Sequence, residues 1–250
     1  MARLLAETAA RKPGAPALVD ETGTTTWASL QDRTNRLINA LRTAGLRAGD
    51  TVALLTGNRR EYFEVMTAGL HAGLFVVPVN WHWVARELAY VIDNSDAVAL
   101  IADDRFLPVA AEALRSPETA RCRLRMAMAD DPPAGFDAYE ALLASSAADE
   151  PSDQEAGAPM FYTSGTTGFP KGVRSSLLPA GADPAVMAGL TQMWLALLGL
   201  PAEGVALLCG PGYHSAQWAF SMLPLGAGQT VVMRHASIRR RRSSSSTGTR

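Results

Sequence analysis

The apolar positions of this chain fall into short unbroken runs separated by longer amphipathic stretches. Thr51 to Leu55, Phe75 to Val79 and Val98 to Ala102 are such runs. Unbroken apolar runs are the pattern of strands buried on both faces of a parallel sheet. Between them, Arg59 to Ala72 and Val84 to Asn94 fit helices, and Leu30, Thr34, Leu37, Ile38 and Leu41 fall on one helical face. Strand and helix alternate. The fold class predicted is α/β, with a doubly wound, mostly parallel sheet or sheets and flanking helices. A strand at Thr230 to Met233 and an apolar helix at Trp218 to Leu225 extend the pattern. The most apolar stretch, Met187 to Leu200, contains Thr191 and Gln192 and is too short to span a bilayer. Ser145 to Gly157 is small, polar and acidic, and reads as a surface linker. The chain has no internal repeat.

Directly after that linker, Met160, Phe161 and Tyr162 form an apolar, β-prone run behind the turn signal Gly157-Ala158-Pro159. A loop leaving a strand is expected there. Gly165 and Gly168 permit positive φ and close backbone approach, which turns successive N–H groups toward one anion. Thr163, Ser164, Thr166 and Thr167 add hydroxyls that donate to phosphate oxygens or reach a magnesium ion. Pro170 stiffens the exit, and Lys171 brings a mobile point charge to the outer phosphates. The composition is that of a polyphosphate loop rather than a plain turn, since four hydroxyls, spaced glycines and a Pro-Lys-Gly exit follow one apolar strand. The spacing is not the Walker pattern, which needs Gly-Lys-Ser/Thr four residues after its first glycine. Lys171 lies six positions after Gly165 and is followed by Gly172. That disfavours an unrelated phosphate-binding NTPase.

Composition narrows the class. The 250 residues are 48% hydrophobic and 19% charged, enough for one large or two small cores. A net charge of −1 gives no field that favours nucleic acid or an anionic membrane. Cys122 and Cys209 make neither a metal spacing nor a disulfide framework, and the start of the chain, with Glu7, lacks a signal-peptide apolar run. A reducing, cytoplasmic setting is expected, with no integral membrane segment. Oligomeric state is not legible.

The run Tyr162-Thr-Ser-Gly-Thr-Thr-Gly-Phe-Pro-Lys-Gly172 resembles a motif specific to the acyl-adenylating, AMP-binding superfamily of acyl-CoA synthetases, peptide-synthetase adenylation domains and luciferases. Other segments are similar to that family: Trp27-Ala-Ser-Leu30 followed by a helix, Gly45 to Asp50 before a strand, Pro78-Val-Asn80 ahead of Glu87-Leu-Ala-Tyr90, and Gly210-Pro-Gly-Tyr-His214. One departure is Val173-Arg-Ser-Ser-Leu177, with leucine where the family has histidine. The resemblance covers residues 1–235 and implies an incomplete N-terminal domain of an acyl-CoA synthetase. It implies a two-step reaction. A carboxylate, here a fatty or other apolar acid, attacks the α-phosphate of ATP to give acyl-AMP and pyrophosphate. A thiol, coenzyme A, then displaces AMP. It further implies that Thr163, Ser164, Gly165, Thr166, Thr167, Gly168 and Lys171 hold the nucleotide, with Thr167 reaching Mg2+. Tyr213 and His214 would line the pocket near the acyl carboxylate, with His214 the candidate catalytic residue. His71, in an apolar helix with Tyr62, Phe63, Met66 and Leu70, reads as structural. Trp81, His82 and Trp83 read as packing rather than a ligand cage.

From Ala236 the chain changes character, with four arginines (Arg239 to Arg242) and then four serines (Ser243 to Ser246). Residues 236–250 are read as a non-native or disordered tail. The preferred reading is a frameshift product, because stepping back one nucleotide permits an acidic, amphipathic helix start. The family's later motifs and small C-terminal domain are then missing, and this chain alone is expected to have little or no ligase activity. The alternative is a non-catalytic fragment or weak nucleotide-binding module.

Overall fold

A computed structural model of the chain describes residues 2–163, 170–174 and 181–234. Its elements run α1 (Ala2–Arg11), β1 (Pro16–Asp20), β2 (Gly23–Thr26), α2 (Trp27–Thr43), β3 (Thr51–Leu55), α3 (Arg60–His71), β4 (Phe75–Pro78), α4 (Ala85–Asn94) and β5 (Ala97–Asp103). They continue through α5 (Leu107–Ala113), β6 (Leu124–Met128), β7 (Asp137–Ala138), α6 (Tyr139–Ser145), β8 (Ala158–Thr163) and β9 (Lys171–Arg174). Last come α7 (Pro184–Leu197), β10 (Val205–Leu208), α8 (Ser215–Ala227) and β11 (Thr230–Met233).

The apolar runs read from the sequence are buried strands. All five residues of β3 are buried, and β3 pairs in parallel with β4 on one side and β5 on the other. The larger sheet has seven strands in the order β7-β6-β5-β3-β4-β8-β9. It is parallel from β7 to β8, and β9 returns antiparallel beside β8. Helices α3 and α4 connect its parallel strands and cover it, so the strands carry apolar side chains on both sides.

Of the second sheet the sequence showed only the strand at Thr230 to Met233, which is β11. That sheet has four strands in the order β10-β11-β1-β2. β1 and β2 form a hairpin near the start, while β11 pairs in parallel with β1 from the other end, placing Leu18 beside Val231. Helix α2 starts at Trp27, inside the segment expected to precede it, because Thr26 caps it: its hydroxyl accepts from the Ser29 amide at 3.2 Å.

Helices α2, α3 and α6 share a buried polar contact. Glu64 of α3 is 1% exposed and accepts two bonds from Arg33 of α2, at 2.7 and 3.0 Å, and one from the Tyr139 hydroxyl at 2.9 Å. Burial pushes the Glu64 carboxyl up, and these donors offset only part of that rise. The stretch after α6 is less free than a surface linker. Asn35, Arg36 and Asn39 of α2 donate to the carbonyls of Ser146, Ala147, Ala148 and Asp149.

Candidate active site

Strand β8 ends at Thr163 and β9 begins at Lys171, and the antiparallel register sets those two residues opposite each other. The expectation that the glycine-rich loop leaves a strand is met. The loop connects two paired strands, so its first hydroxyl and its lysine are held side by side at its base. Both are exposed. One step further along the register Tyr162 faces Gly172, and a Cβ at Gly172 would lie 2.9 Å from the Tyr162 ring. Glycine is needed there for close approach rather than for φ. The Tyr162 hydroxyl donates to Asn94 Oδ1 at 2.8 Å, and Trp83 meets its ring edge-on at 6.5 Å. Ser164, Gly165, Thr166, Thr167 and Gly168 lie outside the described residues, as do Leu177 and the whole 236–250 tail.

Gly210 to His214 joins β10 to α8, and His214 is the N-cap residue of α8. Its amide bonds back to the Pro211 carbonyl at 3.1 Å. His214 is exposed, and its ring lies 4.5 Å from that of Tyr213. Tyr213 is half-buried, and burial raises its phenol, which keeps it a neutral hydrogen-bonding group. Trp81 meets the Tyr213 ring edge-on at 4.8 Å and stacks on Phe106 at 6.4 Å. The aromatic trio of Trp81, His82 and Trp83 is therefore packing: its two tryptophans brace the two motifs from outside.

Between the motifs lies an apolar cavity of about 550 Å³. Phe161 and Thr163 of β8, Val173 of β9, Thr191 and Trp194 of α7, and Ser215, Trp218 and Phe220 of α8 contribute to its wall. Thr163 belongs to the phosphate-loop motif, and Ser215 follows His214. The cavity thus brings together the ends of two motifs that lie far apart in sequence. Its size falls in the range of about 300 to 1,000 Å³ common for small-molecule sites. The aromatic wall was not assigned from the sequence, where α7 read only as an apolar stretch and α8 as an apolar helix. What distinguishes them is a tryptophan on each helix with little charge nearby.

The crevice at the carboxyl ends of β3 and β5, where the strand order reverses, is the usual ligand position in such sheets. Here ionic groups already fill it. Asp103 is fully buried, and Arg105 bonds it at 2.7 and 3.1 Å. Arg59 lies 3.5 Å from it and also pairs with Glu61 at 2.7 Å. Burial pushes the Asp103 carboxyl up, but the Arg105 bonds outweigh it and hold it below the usual carboxylate range. Among the described residues, no group of three His, Cys, Asp or Glu side chains could hold a metal ion, and no helix is long and apolar enough to cross a membrane.

Residues 5–245 match the family described as AMP-binding enzyme. A fatty acid–[acyl-carrier-protein] ligase, ScoC, of Streptomyces coeruleorubidus is 30% identical over 230 residues, which is 91% of this chain and 42% of the relative. A medium/long-chain-fatty-acid–CoA/3-oxocholest-4-en-26-oate–CoA ligase of Mycobacterium tuberculosis is 37% identical over 155 residues, 59% of this chain and 28% of the relative. Among solved structures, the anthranilate CoA ligase AuaEII in complex with anthranoyl-AMP superimposes with a TM-score of 0.81 at 20% identity, covering 94% of this chain and 45% of that one. The chain thus spans less than half the length of each of these relatives.

Proposed function

This chain belongs to the AMP-binding enzyme family, and on that footing we propose that it supplies the phosphate loop and acyl cavity of an ATP-dependent ligase for long-chain or polycyclic carboxylic acids. The observation that carries the reading is Thr163, which opens the phosphate-loop motif and lines the apolar cavity at once. An acid whose tail fills that cavity would present its carboxylate toward Thr163 and Ser215, which both line it. Names of relatives support an apolar tail, since two of them act on fatty acids and one also on a steroid acid.

In the proposed reaction a carboxylate oxygen attacks the α-phosphorus of ATP. The bond to the bridging oxygen breaks, and pyrophosphate leaves with its electron pair. A thiol, coenzyme A in the reading preferred here, then attacks the acyl carbonyl and releases AMP. Thr163 and Lys171 would bind the outer phosphates, where Lys171 offsets charge that grows as pyrophosphate departs. Their exposed, adjacent placement fits a polyphosphate. Mg2+ bound with ATP would supply further charge neutralisation, with the Thr167 hydroxyl as its proposed contact. Tyr213 and His214 would orient the carboxylate, and the cavity wall would hold the tail and exclude water.

The test is calorimetric titration of the purified chain with straight-chain acids of graded length. Affinity is expected to rise from butanoate to dodecanoate, and Ala219→Trp, at a partly buried residue of α8 that also lines the cavity, is expected to abolish dodecanoate binding while leaving the fold intact. Equal binding of short and long acids, or dodecanoate binding unaffected by Ala219→Trp, would contradict the acyl assignment.

A further inference from the structure

The two halves of the candidate site hang from different sheets. The phosphate-loop base belongs to the seven-stranded sheet, and the Gly210–His214 turn follows a strand of the four-stranded sheet. Something must fix one relative to the other. Asn58, between β3 and α3, does so with both ends of its side-chain amide. Its Nδ2 donates to the Gly210 carbonyl at 2.9 Å, and its Oδ1 accepts from the Gly212 amide at 2.9 Å. The Tyr62 hydroxyl, in the first turn of α3, donates to the Gly212 carbonyl at 2.6 Å. Asn58 is 6% exposed and Tyr62 2%.

These contacts are specific in three respects. The amide orientation is set by its partners, because a carbonyl can only accept and an N–H can only donate. All the groups are neutral, and the two bonds to Gly212 are buried, so losing either partner there leaves an unsatisfied polar group. Gly212 is the residue that lets the clamp close, since a Cβ there would lie 2.8 Å from the Tyr62 ring. On the far side Gln217 Oε1 accepts from the Gly210 amide at 2.9 Å, tying the same turn to its own helix.

We infer that Asn58 and Tyr62 are positioning residues that set Tyr213 and His214 against the acyl cavity. They act through the backbone of the turn and touch no substrate. The inference rests on the proposed acyl-activating function for its consequence, but the clamp itself is a statement about the turn.

The experiment uses the full chain and two variants. Asn58→Ala removes the bridge, and Tyr62→Phe removes one bond while keeping the ring that packs on Gly212. Two quantities are read: hydrogen–deuterium exchange of the amides of Gly210 and of Gly212 to His214, and the preference for dodecanoate over dodecan-1-ol, which share a tail and differ in the carboxylate. Both variants are expected to speed exchange at 210–214 while β10 and α8 stay protected. Both are expected to reduce the dodecanoate preference about three- to tenfold, with dodecanol affinity unchanged. Unchanged exchange at 210–214 overturns the clamp. Faster exchange with an unchanged preference makes the contacts structural only and overturns the positioning role. If the parent chain shows no preference for dodecanoate over dodecanol, the acyl-carboxylate reading fails, and the exchange data alone then decide whether the clamp exists. Should Asn58→Ala fail to fold, Tyr62→Phe decides.

Discussion

Lys171 has one exposed side chain to offer and sits opposite Thr163 at the base of the loop. If it serves the outer phosphates, Lys171→Ala should weaken pyrophosphate binding at least about tenfold, in keeping with the loss of a charge-assisted contact. Dodecanoate binding should not change, because the lysine lies outside the cavity wall. Parallel titrations with the two ligands check this. His71 tests the opposite role. It is buried, its Nε2 has no partner among the described residues, and burial lowers its pKa to about 3. An unfolded chain takes up a proton at His71 below about pH 6.5 that the folded chain refuses. Its neutral burial is therefore fully tolerated above pH 6.5, and stability falls as pH drops from there toward 3. The loss from this one group is roughly 2 kcal/mol between pH 7 and pH 5. Urea midpoints at the two pH values measure it, and His71→Leu should flatten that part of the profile.

At the scale of elements, the Arg33–Glu64–Tyr139 contact joins three helices that pattern alone could not place beside one another. Arg33→Ala would leave the Glu64 carboxyl buried with only the Tyr139 hydroxyl. It is expected to destabilise the fold by about 3 to 5 kcal/mol, read from urea unfolding. Glu64→Gln, which keeps the shape and removes the charge, should be milder. The same contrast explains what was legible in the sequence. Strands β3, β4 and β5 and helices α3 and α4 were readable because unbroken apolar runs and helical spacing are local signals. The strand before the phosphate loop was readable for the same reason. The β1–β11 pairing was not, because it joins residues from opposite ends of the described chain and leaves no local trace. Nor was the Asn58 bridge: an asparagine after a strand looks like any turn residue until its partners at Gly210 and Gly212 are in place.

At the scale of the molecule, the described surface carries apolar residues that no described part covers. Helix α7 has no charged side chain, and Val186, Met193 and Leu197 on it are 57%, 53% and 71% exposed. Helices apolar all round are ordinarily buried. Strand β10 is an edge strand, with Val205 and Leu207 69% and 62% exposed. Such an edge is a pairing template. The chain by itself should therefore self-associate with rising concentration. The double change Val205→Lys and Leu207→Lys should suppress this while altering stability by no more than about 0.5 kcal/mol. Light scattering and thermal unfolding of the same samples test both halves of that statement.

In the proposed function one site spans the loop base and the cavity, joined at Thr163. It is tested by calorimetric titration of the chain with dodecyl triphosphate, an unreactive mimic that joins the apolar tail to the phosphates assigned to the loop, beside dodecanoate and inorganic triphosphate. A single site predicts that the joined ligand binds at least about tenfold more tightly than either part, because the second half then binds within the same molecule. Binding of the mimic no tighter than dodecanoate alone would show that cavity and loop do not form one site.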